Sequence, residues 1–299
     1  MSIYKSNGKI LLSSEYAVLY GAKAIGLPTK MGQSLIIENR NDKHIEWISY
    51  NIDEKIWFNC LFKDDSLIIE KTNNQKIARK LLIILKEVKK LNSNFLISNK
   101  TIKTYLDFDY KWGLGTSSTL INNISEWAKI NPYTLLKNTF GGSGYDIACA
   151  SSKSPILFSV NKNKYLIESI EFNPKFKENL FFIYQNKSQN SQKSILEFKK
   201  KSILEKDTID QLSNLTDRLL IAESLKEFTQ LIDAHEKIIG NLLKINPLKM
   251  KFPDYPGTVK SLGAWGGDFF LAVGPRNSLK YFNDKGFKIG FTFEEFILN

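Results

Sequence analysis

The segment 111-KWGLGTSSTLINNISEWAKI-130 puts two glycines, then three hydroxyl side chains, then an apolar-periodic run into one corner of the chain. Glycine lets a backbone approach a ligand closely and supplies positive φ where a turn needs it. A helix starting just after such a loop aims its free N–H groups and positive dipole end back at it. The hydroxyls of Thr116, Ser117 and Ser118 can then donate to phosphate oxygens or ligate a hard cation. The same hexapeptide can equally be a capped turn with no ligand. It is not a P-loop, because no Gly-Lys-Ser/Thr follows at the required spacing, and it is not GxGxxG.

Two further glycine-bearing segments stand downstream. In 141-GGSGYDIACA-150 one carboxylate, Asp146, sits just past a glycine loop at the start of an apolar helix. Such an acid either complements the helix dipole or accepts a proton and orients a hydroxyl nucleophile. In 261-SLGAWGGDFFLAVG-274 the glycines read either as a hairpin turn or as another close-approach loop. A fourth segment, 184-YQNKSQNSQKSI-195, carries hydroxyls and lysines; Ser188 and Ser191 are candidates for substrate contact, and a solvated helix start is the competing reading. The two histidines, His44 and His235, are too few for a histidine-based metal site or a Ser-His-Asp triad, and both read as structural or surface residues. Trp112 stands either beside a nucleotide base or beneath the glycine loop.

At 299 residues and 42% hydrophobic the chain suits two domains of ordinary size with packed interiors. No run of 18 or more apolar residues predicts a membrane span, and the first residues, MSIYKSNGKILL, lack the pattern of a signal peptide. Two separated cysteines, Cys60 and Cys149, fit a reduced, cytoplasmic setting. The formal charge of +11 comes mostly from dispersed lysine, with no arginine-rich tract and no basic run interleaved with aromatics. That pattern argues against nucleic acid and fits a small anionic substrate.

The elements that must position these residues read as α+β. Short alternating segments fill roughly the first 70 residues, and 75-QKIARKLLIILKEVKKL-91 is an amphipathic helix. A strand near 101–108 leads into the glycine loop and a helix running to about Lys129; Asn131-Pro132 breaks it, and 133–140 forms a short helix. PILFSV and KYLIESI are strands, 191–244 is largely helical, and the chain closes with a strand-turn-strand around 257–274, a helix at SLKYFNDKG and the strand FKIGFTF.

Read jointly, GKILLSSEYAVLYGAKAIGLPT, GLGTSS and GAWGGDFFLA resemble the three ordered motifs of the GHMP kinase superfamily, which includes galactokinase, homoserine kinase, mevalonate kinase and phosphomevalonate kinase. The resemblance implies a ribosomal-protein-like N-terminal domain over 1–172 and a ferredoxin-like C-terminal domain over 173–299. Tyr16 after Glu15, a GLGTSS without a preceding proline, and the 266-GGD-268 triplet are similar to phosphomevalonate kinases; GYDIA resembles a bacterial subgroup. The implied activity is phosphoryl transfer from ATP with Mg²⁺ to phosphomevalonate or mevalonate, by a cytoplasmic monomer or homodimer. On this chain Gly113, Leu114, Gly115, Thr116, Ser117 and Ser118 match the ATP-binding loop, with Ser117 the Mg²⁺ ligand. Asp146 matches the acid that deprotonates or orients the acceptor, and Lys9 the lysine that stabilises the transferring charge. Glu15, Tyr16, Ser143, Gly144, Ser188, Ser191, Gly266, Gly267 and Asp268 fall on the substrate side; Gly263 and Ala264 support the phosphate loop. Three departures stand out: Ser14 where the family has glycine, Trp265 inside the third glycine loop, and no acid between Trp127 and Tyr145, where mevalonate kinases carry a second metal ligand. They motivate the alternative of a GHMP-fold binding protein with weak or no catalysis.

Overall fold

A computed structural model describes residues 1–299 except Leu96, Asn163, Asn190, Ser202 and Ile203 and the side chains of Ser191, Gln192 and Lys201. The chain divides into two compact units whose residues interleave along the sequence. The first comprises Met1–Gly8, Met31–Tyr110 and Leu114–Ser151; the second comprises Lys9–Lys30, Lys111–Gly113 and Ser152–Asn299. Two long strands, β1 (Ser2–Leu11) and β2 (Ala24–Asn39), contribute residues to both.

In the first unit, β3 (Ile45–Tyr50), β4 (Ile56–Phe62), β5 (Ile69–Thr72) and β6 (Lys100–Leu106) join β2 in the order β5-β4-β3-β6-β2. β3 and β6 run parallel and the other pairs in this order antiparallel. Strand residues alternate in burial, so one face carries Leu35, Ile37, Trp47, Phe58, Cys60 and Phe62 into the core. Helices α1 (Gln75–Leu91) and α2 (Thr116–Ala128) cover that face. Helix α1 begins where predicted because the Asn74 side chain accepts from Ile77 N, and its buried Ala78, Leu81, Ile84, Leu85 and Val88 recur at helical spacing. Helices α3 (Pro132–Thr139) and α4 (Tyr145–Ser151) follow; Asn131 caps α3 and Pro132 fills its first turn, so the Asn-Pro break ends one helix and starts the next.

In the second unit, residues Ala24–Gly26 of β2 pair with β7 (Ile156–Asn161), which pairs with β8 (Lys164–Ser169). A separate antiparallel sheet has the order β10-β11-β9-β12, from β9 (Leu180–Tyr184), β10 (Thr258–Ser261), β11 (Phe269–Val273) and β12 (Gly290–Thr292). Helices α5 (Ser191–Lys201), α6 (Lys206–Ile221) and α7 (Leu225–Leu243) lie between β9 and β10, and α8 (Ser278–Asp284) between β11 and β12. Strand, helices, two strands, helix, strand in this spatial order is the ferredoxin-like arrangement. The expected strand FKIGFTF is shorter than its pattern suggests. Thr292 forms a capping box with Glu295, so Phe293–Phe296 turns into the short helix α9 and buries Phe293 and Phe296.

Helix α2 is tied to the strands beneath it by buried amides. Asn123 Nδ2 donates to Gln33 O at 3.0 Å and its Oδ1 accepts from Ser6 Oγ at 2.7 Å, while Asn122 Nδ2 donates to Ser6 Oγ at 3.0 Å. We expect Asn123→Ala to deprive the Gln33 carbonyl of its Asn123 donor and the Ser6 O–H of its acceptor in the core and to lower unfolding stability by about 2–4 kcal/mol, read as a shift in urea midpoint with unchanged slope.

Candidate functional site

In the first unit the glycine loop leads into α2 through left-handed backbone. Gly115 is the N-cap at φ 97, and glycine there contributes no side chain to the N–H groups it faces. Among the described residues no side-chain cap hydrogen bond closes the start of the helix. Ser118 Oγ donates back to Gly115 O at 2.9 Å, and Thr119 Oγ1 donates to Gln33 Oε1 at 2.8 Å. Thr116 Oγ1 is buried with no hydrogen-bond partner among the described residues. Ser117 is exposed. The turn therefore ends in uncapped N–H groups, one buried unsatisfied hydroxyl and one exposed serine, which is the donor set of an anion cradle.

The acid loop belongs to the same unit. Gly141 (φ 67) and Gly142 (φ 117) have open space where a Cβ would stand; Gly144 (φ 89) precedes the first turn of α4. Ser143 and Gly144 are buried, and Asp146 is half-buried on that turn. Helices α2 and α4 pack on each other, so the first unit brings the cradle and the acid onto neighbouring helices.

The second unit carries Lys9 half-buried on β1, Gly113 and the third glycine loop. Trp112 is packed under Gly113, its ring 5.7–6.1 Å from the rings of Tyr184, Phe269 and Phe291 on β9, β11 and β12. These contacts seat the ring against the second sheet. In 265-WGGD-268, Trp265 (φ 52), Gly266 (φ 79) and Asp268 (φ 57) are all left-handed. The Trp265 ring does not fill the loop: it is buried with Tyr16, Phe198, Leu212 and Ile239, and it rests on α7 at Gly240. Asp268 is buried, and its Oδ1 accepts from Gln189 N at 3.0 Å. Burial pushes its carboxyl up to about 6, against the opposing pull of Gln189 N–H and the Lys9 charge. Gly267 is close to Gln189 and to the carbonyl of Lys187. Ser188 is exposed, and the side chain of Ser191 lies outside the described residues.

Glu15 and Tyr16 are held in a buried polar cluster that sequence reasoning missed. Ser14 and Tyr16 adopt φ 59 and 63, a conformation costly for non-glycine residues. Ser14 takes a left-handed backbone that a glycine would supply freely. His235 Nε2 on α7 accepts from Ser14 N at 2.7 Å, and Ser14 Oγ donates to Lys23 O at 2.5 Å. Glu15 is ion-paired with the fully buried Lys260, whose Nζ also donates to Ser261 O at 2.8 Å. Glu236 accepts from Ser261 N, Ser261 Oγ and Leu248 N at 3.0–3.1 Å. Tyr16 Oη donates to Ala264 O at 2.6 Å, linking the first motif to the third loop. The only signals available were a lysine inside the apolar pattern TVKS and the adjacent pair His235-Glu236 on the buried side of α7.

These charges oppose one another with pH. Burial raises Glu15 to about 7 despite Lys260, so its stabilising contribution is present below the ordinary carboxylate value and fades as pH rises toward 7. Burial and the Lys260 charge hold His235 well below 6.5, so its contribution is present above that value and is lost as pH falls. His235→Gln keeps an acceptor for Ser14 N and removes the titration. Relative to the parent, its stability should rise by about 1 kcal/mol between about pH 7.5 and 5.5, measured by urea unfolding. A pH-independent difference would rule out a depressed His235.

Among the described residues no helix is long and apolar enough to cross a membrane, and no group of three or more His, Cys, Asp or Glu could hold a metal ion. No protein-family model matches the chain, and no curated protein matches it in sequence. Solved structures do match over nearly its whole length. Phosphomevalonate kinase of Streptococcus pneumoniae, in complex with phosphomevalonate and AMPPNP, is 15% identical, covers 98% of this chain and 100% of its own, and has a TM-score of 0.71. Mevalonate kinase of Methanococcus jannaschii is 17% identical, covers 100% and 98%, and scores 0.69. Galactokinase of Lactococcus lactis, complexed with galactose, is 14% identical, covers 94% and 87%, and scores 0.66. The chain has the α+β fold of the GHMP kinases.

Proposed function

We propose that this protein is an ATP-dependent kinase that phosphorylates phosphomevalonate or mevalonate. The observation that carries the reading is the start of α2: positive-φ Gly113 and Gly115 and, among the described residues, no side-chain cap and no partner for the buried Thr116 hydroxyl. A phosphate satisfies all of these donors at once. The solved complex of a similar fold with AMPPNP and phosphomevalonate supports the choice of nucleotide and acceptor. A galactokinase of similar fold keeps the substrate class wider than one acid, so the finer assignment rests on the motif wording around Glu15-Tyr16 and Gly266–Asp268.

The residues divide the work as phosphoryl transfer requires, mostly by positioning and charge neutralisation. The backbone from Gly113 to Ser118 holds the nucleotide phosphates, with Thr116 Oγ1 as a donor. Mg²⁺ fits this donor set through the hydroxyl of the exposed Ser117, completed by phosphate oxygens and water as magnesium prefers; bound there it neutralises phosphate charge. Lys9 offsets charge on the transferring group. Asp146 takes the proton from an alcohol acceptor or orients it. Glu15 is turned inward onto Lys260, so its part is to shape the pocket wall, with Tyr16 bracing the 263–268 loop. The family departures at Ser14 and Trp265 are accommodated by backbone and core, which favours an active enzyme over a binding protein without turnover.

A coupled ADP-release assay against mevalonate, phosphomevalonate, homoserine and sugars tests this. Turnover is expected with one of the first two. Asp146→Asn should lower kcat by about 10²–10⁴ with nucleotide affinity retained. Nucleotide binding without turnover on the whole panel would favour the binding-protein alternative.

A further inference from the structure

In the second unit the strands Ala24–Gly26, β7 and β8 end in an open edge. Strand β8 pairs with β7 along its whole length without a register shift, and among the described residues no strand pairs its other side. Sheet edges are normally blunted by proline, by a bulge or by charge, because their unpaired N–H and C=O groups recruit other strands. β8 has neither proline nor bulge, and it holds Leu166 and Ile167 on opposite faces, 51% and 46% exposed. Its two charges have opposite signs and stand two residues to either side of Leu166: Lys164 and Glu168, both exposed.

The backbone decides which groups are open to a further strand. Ile170 N donates to Pro155 O at 2.9 Å, just past the end of β8 and in the same register. Hydrogen-bonded positions alternate along an antiparallel pair, so Lys164, Leu166 and Glu168 direct their N–H and C=O groups to β7, and Tyr165 and Ile167 turn theirs outward. Two copies of this edge pair antiparallel only with outward-turned residues opposite one another. A pair centred on Leu166 meets that condition: Tyr165 faces Ile167 of a second copy, and Ile167 faces its Tyr165. The same register sets Lys164 against Glu168 of the second copy, twice over, and Leu166 against its own counterpart. Centring on Tyr165 would set Lys164 against Leu166, and centring on Ile167 would set Leu166 against Glu168.

We propose that β8 is a homodimer interface: two copies of this chain join edge to edge about a two-fold axis through Leu166, and their sheets become continuous. The charge pattern selects the occupant, since 164-KYLIE-168 complements itself when two copies run antiparallel. A two-fold contact uses the same edge of both copies, so it closes at two.

The test is sedimentation velocity of the whole protein from roughly 1 to 500 μM, a range suited to the weak pairing that one short strand provides. A concentration-dependent monomer–dimer equilibrium is expected. Leu166→Lys should abolish it by setting two like charges together at the axis. Lys164→Glu should weaken it at least about 10-fold, because two opposite-charge pairs become two like-charge pairs. Adding Glu168→Lys to Lys164→Glu should restore it to within about 3-fold of the parent, which a contact elsewhere or in another register would not do. Should a variant fail to fold, Ile167→Pro takes its place: it removes only an outward N–H and should leave a monomer. A parent that is monomeric at every concentration would leave the edge to a strand of another protein and overturn the proposal. So would a dimer that Leu166→Lys and Lys164→Glu leave unchanged, or a double variant that stays as weak as the single one.

Discussion

A helix that starts without a cap leaves strong donors with nowhere to go, and α2 starts that way. Much of the first unit follows from keeping that end intact and pointed. The left-handed Gly115 sets the entry, Ser118 and Thr119 bind the first turn to Gly115 O, and Gln33, Asn123 and Ser6 pin the helix to the sheet. Buried amides are a costly way to hold a helix, because each must be fully satisfied. They also fix rotation and register, which apolar packing alone leaves looser. The donor set proposed above to hold phosphate needs that fixity.

The second unit solves a different problem. Four non-glycine residues in two loops, Ser14, Tyr16, Trp265 and Asp268, stand at positive φ. Strain of this kind persists only where the surroundings over-determine it. Here the surroundings are His235 on Ser14 N, Lys260 on Glu15, Tyr16 on Ala264 O, and the chain from Gln185 to Gln189 around Asp268. A buried ion pair such as Glu15–Lys260 adds little net stability, since desolvation offsets most of the attraction. Its effect is on geometry: Glu15 has one place to go, and the turn follows it. Local rules of sequence are broken together at these two loops, and functional sites are where such breaks concentrate.

What could be read in the sequence was what local physics controls. Helix α1 shows in its spacing and its asparagine cap, α3 in Asn131-Pro132, and the glycine loops in their composition, because each depends on neighbours within a turn or two. The ferredoxin-like order of the second sheet was expected from motif resemblance and is present in its pairing. The buried polar cluster was not legible. Lys260 and Glu236 look like surface charges until α7 is laid on β10, and only tertiary contact makes them interior. Trp265 likewise looked like an obstruction, because sequence shows the size of a side chain and not the direction in which it leaves the loop.

The interleaving of the two units has a consequence for how the protein is made. During vectorial synthesis every residue of the first unit has been joined once Ser151 is added, while Lys9–Lys30 of the second still lacks its partners. Glu15 waits 245 residues for Lys260, and Ser14 waits 221 for His235. Contacts of such long range close late and slowly. The turn that carries the first motif is therefore translated well before its partners and is among the last parts of these units to reach its native conformation, and no single cut of the chain yields both units whole.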